Sequence, residues 1–323
     1  MAVYTHLSAD QMAALIGQYD VGALVSAKGI AEGVSNSNWL IETSGKGDGP
    51  TRFILTMYER RIALDDLPFF LDLLDHLSAA GAPVPRTIHD SAGRSWRMLD
   101  GKAVALIEFL PGVSIDTPTT AQARAVGAAL AEMHLAARSF EQVRPNGLDV
   151  GANLATLEKC GTDALAAIDP ALPNVLARGR RLTENWPRDL PTTIIHSDLF
   201  PDNVLMLGDK VSGLIDFYFA CTDAMAYDLA VTHAAWSFTR PDAQFDPGIG
   251  LALVEGYESV RPLSSPERAA LPILAQGACL RFVASRAEDW IDTPVDAHVR
   301  RKDPMDFVRK WDFYADLGDQ AFA

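Results

Sequence analysis

In "HSDLFPDNVLMLGDKVSGLIDF", residues 196 to 217, His196, Asp198 and Asn203 fit the spacing H-x-D-x-x-x-x-N. Asn203 opens a short hairpin and Asp216 follows its return strand, so an amide oxygen and a carboxylate are expected at one hairpin end. Such hard oxygen donors suit Mg2+, which keeps several of its waters when bound. Asp198 lies on the loop before them, where its carboxylate could take a proton from an incoming hydroxyl. Metal ligands, a base for the acceptor and a cover over the phosphates are the parts that phosphoryl transfer needs. With 7 His, 30 Asp and 7 Asn in 323 residues, chance supplies roughly 0.01 matches to the bare spacing. The apolar "II" before His196 and the hairpin after Asn203 favour a metal-phosphate site over a polar turn without chemistry.

The rest of the composition narrows the class. A net charge of −14 argues against nucleic acid or an anionic membrane as partner, since both are polyanions. Cys160, Cys221 and Cys279 are odd in number, far apart and without a CxxC pair, which fits a reducing, cytoplasmic setting and no disulfide framework. The first ten residues lack the basic and apolar regions of a signal peptide, and no run approaches the ~18 apolar residues of a membrane span.

Two kinds of patterning divide the chain. "ALVSAKGI", "NWLIET", "RFILTMYE", "SWRMLD" and "AVALIEFL" read as strands, interrupted by one strong helix. That helix starts at Asp66 as a candidate N-cap, with Pro68 in its first turn. Leu67, Phe70, Leu71, Leu74 and Leu77 recur at helical spacing along it, and Gly81 with Pro83 stops it. After "PG" at 111 and 112 the pattern turns helical, except for the strand "TTIIH" and the hairpin that follows it. The expectation is an α+β chain: a β-rich lobe with one main helix over residues 1–107, a mostly helical lobe over 108–323, and a hinge near 106–112.

"HSDLFPDN" followed by "GLIDF" resembles the catalytic core of the aminoglycoside-phosphotransferase and choline-kinase superfamily, which has the protein-kinase-like two-lobe fold. "ALIEFLPG", "LAEMH" and "AMAYDLA" fall in the order expected for it, so the likeness spans nearly the whole chain. More narrowly, "GVSNSNWLIET", "FILTMYE", "LPFFLDLLDHL" and "GLIDFYFACTDAMAYDLAV" resemble the kinase-like homoserine kinase family. The resemblance implies ATP and Mg2+ as cofactors and L-homoserine as the small-molecule substrate; choline, an aminoglycoside, methylthioribose or another hydroxyl compound is the alternative acceptor. It makes Asp198 the base, Asn203 and Asp216 the metal ligands and His196 a structural member of the loop. Asp228 then braces that loop, against the competing reading of a plain helix N-cap. The stretch from Gly29 to Asn38 stands where a phosphate-covering loop belongs, offering Gly33, Ser35, Asn36 and Ser37, although a polar hairpin turn would look similar. The backbone of Glu108 and Leu110 would meet adenine. No G-x-x-x-x-G-K-[ST] loop occurs.

One feature departs from the family. Thr56 stands where a strand lysine is expected, and the helix from Asp66 to Ala80 has no glutamate to pair with one. Lys28, Arg60 and Arg61 are nearby cations among which the sequence does not choose, and a non-catalytic nucleotide-binding protein of this fold stays open. For an amino-acid acceptor, Arg281 and Arg286 could meet a carboxylate or be ordinary salt-bridge residues. Asp223, Tyr218 and Trp236 could wall the pocket or simply fill core.

Overall fold

A computed structural model describes residue 5 and residues 7–30, 36–59, 63–239, 243–293 and 301–323. Gly33, Ser35, Arg60 and Arg61 lie outside the described residues. The chain divides into two compact units, Met1–Gly112 with Ser212–Tyr218, and Val113–Val211 with Phe219–Ala323.

The first unit is built on an antiparallel sheet. Its strands are β1 (Leu24–Ile30), β2 (Asn36–Thr43), β3 (Arg52–Tyr58), β4 (Thr87–Ile88), β5 (Arg97–Leu99) and β6 (Lys102–Glu108). The order is β1-β2-β3-β6-β4, with β5 also paired to β6. Because side chains alternate along a strand, each face collects its own core. Trp39, Ile41, Phe53, Leu55 and Met57 face the short helix α1 (Ala9–Ile16) and bury Leu15 and Ile16. Ile54, Tyr58, Ala105 and Ile107 face the other way and pack with Leu67 and Leu71 of α2 (Leu67–Ala79).

Two sequence expectations change here. The unit has a second helix, α1, started by a capping box in which Ser8 and Gln11 satisfy each other's backbone N–H groups. Asp66 precedes α2 in helical geometry and makes no side-chain cap, because a cap needs the extended backbone of an N-cap residue.

The second unit is mainly helical. It holds α3 (Thr120–Ala137), α4 (Val150–Cys160), α5 (Thr162–Ile168), α6 (Asn174–Glu184), α7 (Met225–Trp236), α8 (Pro247–Val260), α9 (Ser265–Asp292) and α10 (Met305–Leu317). Every residue of α7 is buried, so it is the central rod of this unit. Strand β7 (Thr192–Ile195) leads to the His196 loop and pairs with β10 (Cys221–Ala224), a strand the sequence patterning misses. The hairpin strands are β8 (Val204–Leu207) and β9 (Lys210–Leu214), so the return strand ends two residues before Asp216.

Helices α3 and α8 meet backbone to backbone at two glycines. A Cβ added to Gly127 would lie 2.8 Å from the Tyr257 nitrogen, and one added to Gly256 would lie 2.9 Å from the Arg124 Cα. Neither neighbour is a flexible side-chain tip, so relief requires the helices to separate. Gly127→Ala should therefore cost about 1–3 kcal/mol, despite the better helix propensity of alanine. Urea unfolding of variant and parent measures this, and an unchanged midpoint would show that α3 and α8 can part freely.

Candidate active site

The loop after β7 is fixed by one buried carboxylate. Asp228, on the first turn and a half of α7, is fully buried and accepts the backbone N–H of His196 at 2.7 Å and of Ser197 at 2.7 Å. His134 of α3 donates a third bond from Nε2 at 2.9 Å, and its Nδ1 lies 2.9 Å from the Tyr257 hydroxyl. A carboxylate only accepts, so the His134 proton must sit on Nε2. Helix α7 begins at Met225, and Asp228 is thus a brace inside the helix rather than its cap.

Ser197 is held in the left-handed region, at φ +61°, which costs a non-glycine residue roughly 1 kcal/mol. Three groups keep it there. Its N–H goes to Asp228, its Oγ donates to the Phe219 carbonyl at 3.0 Å, and its carbonyl accepts from Arg281 Nη1. The turn that results presents Asp198, whose carboxylate is half-exposed, and the Asp198 N–H donates to His196 Nδ1 at 3.3 Å. Asn203 is buried and donates its amide nitrogen to the Asp198 carbonyl at 2.8 Å. That assignment leaves its oxygen as the group with donor character toward a cation.

Other sequence candidates are placed as follows. Arg281 is almost wholly buried in α9, with Nη2 3.4 Å from Asp198 Oδ1 and its guanidinium over the rings of Phe219 and Phe282. Trp236 lies behind the loop and donates Nε1 to the Leu199 carbonyl at 2.9 Å. Asp223 on β10 accepts from Asn146 at 2.6 Å and from the Ala224 N–H; burial pushes its carboxyl up, with the Asn146 bond opposing. Arg286 is not grouped with these, since it bonds the Asp303 carbonyl and the Asp306 carboxylate and stacks on Phe307.

In the first unit, Asp216 is exposed and, like Ser197, left-handed, at φ +66°. Tyr218 pairs its hydroxyl with that of Tyr58 at 3.0 Å and packs edge-on to Phe70. Thr56 donates to Asn38 at 2.8 Å. Ser37 gives its hydroxyl to Glu59 at 2.6 Å, on the α1 face of the sheet, while Asn36 sits on the face of Thr56. The Glu108 N–H is bonded to the Arg86 carbonyl at 3.0 Å, and Leu110 follows half-buried. Among the described residues no three His, Cys, Asp and Glu side chains form a metal cluster, and no helix is long and apolar enough to cross a membrane.

Sequence reasoning missed His134, Ser197 and Asn38. A histidine in an apolar helix and a serine beside the base carry no spacing signal, because their partners are distant in the chain.

Burial alone would raise the Asp228 carboxyl. The hydrogen bond of His134 and the N–H of His196 outweigh burial and hold it below its ordinary value. A depressed folded value contributes stability that is present above about pH 4 and lost as pH falls through it. Asp228→Asn should therefore destabilise the chain by about 2–4 kcal/mol at pH 7, with the gap narrowing below about pH 4. Denaturant titrations from pH 7 to 3 measure it, and a constant gap would mean that the folded carboxyl is not ionised.

Comparison with known proteins places the chain in a family. The profile of the phosphotransferase enzyme family (APH) matches residues 26–263. A homoserine kinase of Methylobacterium radiotolerans is 47% identical over 323 residues, covering 99% of this chain and 98% of the relative. A homoserine kinase of Rhizobium etli is 45% identical with the same coverage. Among solved structures, spectinomycin phosphotransferase in complex with ADP and spectinomycin superposes with a TM-score of 0.73 at 14% identity, covering 98% of this chain and 100% of the other. An amicoumacin kinase in complex with AMP-PNP, Ca2+ and Ami gives 0.69 at 13% identity, over 97% and 94%. These likenesses establish the protein-kinase-like fold. The family profile and the full-length relatives together show that the chain belongs to the phosphotransferase enzyme family and, within it, to the homoserine kinases.

Proposed function

We propose that the protein transfers the γ-phosphoryl group of ATP to the hydroxyl of L-homoserine, giving O-phospho-L-homoserine and ADP. What carries the reading is the Asp198 loop, locked by a buried carboxylate in a chain 47% identical to a homoserine kinase over nearly its full length. Asp198 takes the hydroxyl proton as the new O–P bond forms; the bond from the γ-phosphorus to the bridging oxygen breaks, and the electron pair leaves with ADP.

Residues 1–107 form the lobe that covers the nucleotide, with the loop from Gly29 to Asn38 over the phosphates. Residues 108–323 form the catalytic lobe, and the backbone of Glu108 and Leu110 receives adenine. The divalent ion is Mg2+: the Asn203 oxygen and the exposed Asp216 carboxylate are the hard donors it requires. When bound, it would neutralise charge on the transferring phosphate. His196 shapes the loop, since its Nδ1 already accepts the Asp198 N–H.

Arg281 orients Asp198 through Nη2, and the charge of its guanidinium favours the amino-acid carboxylate beside the loop. Asp223, desolvated as it is, receives the ammonium. Tyr218 is held by the Tyr58 hydroxyl and Trp236 by the Leu199 carbonyl. The three cysteines are free, as in a reducing cytoplasm.

ADP release measured with Mg2+ and ATP across L-homoserine, choline, ethanolamine, methylthioribose, L-serine and kanamycin tests the reading. Turnover should be confined to homoserine, and Asp198→Ala should lower kcat about a thousandfold with the circular dichroism unchanged. Turnover on a different hydroxyl compound would replace the substrate. Full activity in Asp198→Ala would remove the base. In the same assay, Arg281→Met should lower kcat and raise the KM for homoserine, leaving the KM for ATP near the parent value.

A further inference from the structure

Phosphate chains need a cation, and strand β3 offers Thr56 where the family carries lysine. Sheet register shows which basic residue can replace it. Lys28 pairs with Leu40, which pairs with Ile54; in the next row Ile30 pairs with Asn38 and Asn38 with Thr56. Side chains alternate, so Lys28 shares the sheet face of Asn38 and Thr56. The same face carries Asn36, whose Oδ1 is buried and has no hydrogen-bond partner. Tyr58 and Tyr218 also stand on this side, with their hydroxyls 3.0 Å apart.

The remaining cations of this unit are committed elsewhere. Lys46 pairs with Asp20, Arg52 with Glu42, Arg86 with Glu108, and Arg94 and Arg97 with Asp90. Lys102 pairs with Glu59, which also takes the Ser37 hydroxyl, on the opposite, α1 face. Among the described lysines and arginines of this unit Lys28 alone has no carboxylate partner, and it is exposed. From Thr56 it lies two strands across and two residues along, about 12 Å between Cα atoms. Asn38 stands one strand nearer, about 8 Å from Lys28 between Cα atoms, and a lysine reaching about 6 Å from its Cα brings its ammonium toward the Asn38 side of the Asn38–Thr56 pair.

We infer that Lys28 supplies, from strand β1, the positive charge on the ATP phosphates that Thr56 cannot supply from β3. This rests on the kinase reading given above. The hydrogen-bonded Thr56 and Asn38 then stand beside the phosphates as neutral neighbours, leaving β3 without a charge of its own.

Calorimetric binding of ATP and of adenosine to the purified chain tests it apart from catalysis. Lys28→Met should weaken ATP binding about tenfold or more and leave adenosine binding unchanged. Lys28→Arg should keep most of the affinity, and Thr56→Lys placed in the Lys28→Met background should restore part of it. ATP binding within twofold of the parent in Lys28→Met overturns the inference. So does an equal loss for adenosine, or a comparable loss in Arg60→Ala or Arg61→Ala with Lys28 intact. A parent chain that phosphorylates homoserine while Lys28→Met binds ATP normally defeats this assignment alone; a parent that binds no ATP defeats the kinase reading with it.

Discussion

The Asp228 carboxylate is the constraint from which the reactive loop follows. A fully buried charge is costly unless it is hydrogen-bonded, and here two backbone N–H groups and a histidine supply three bonds to its two oxygens. The bonds to His196 and Ser197 fix two successive peptide units, and with them a backbone turn that serine adopts reluctantly. That turn presents Asp198, which Asn203 and Arg281 also hold.

How much of this is legible in the chain depends on separation. His196, Asp198 and Asn203 lie within eight residues, and the chemistry proposed for them is read from residue types and the hairpin after them. The strands and α2 are readable because alternation and helical spacing are local. The partners of the loop are not local: His134 and Asp228 are 94 residues apart, and Arg281 and Ser197 are 84 apart. Nothing in an apolar helix such as "LAEMH" says that its histidine faces a carboxylate. Strand β10 is equally hidden, since "CTDA" becomes a strand only through pairing with β7.

The polar stretch from residue 35 to 38 shows a finer limit. As a sequence it offers hydroxyls and amides of equivalent promise. In the sheet, alternation sends Ser37 to Glu59 on one face and Asn36 and Asn38 to the other. Arg281 and Arg286, similar on paper, separate for a related reason. One turn and a half of α9 points the first at the loop and the second at α10, where Asp306 and Phe307 occupy it.

The backbone contact between α3 and α8 has a consequence beyond packing. His134 lies two turns along α3 from Gly127, and Tyr257 adjoins Gly256 on α8. With no side chain between the helices, they cannot slide or part without carrying His134 away from the Tyr257 hydroxyl. The two absent methyl groups therefore act as a spacer gauge, transmitting the helix separation through an imidazole to the carboxylate beneath the loop.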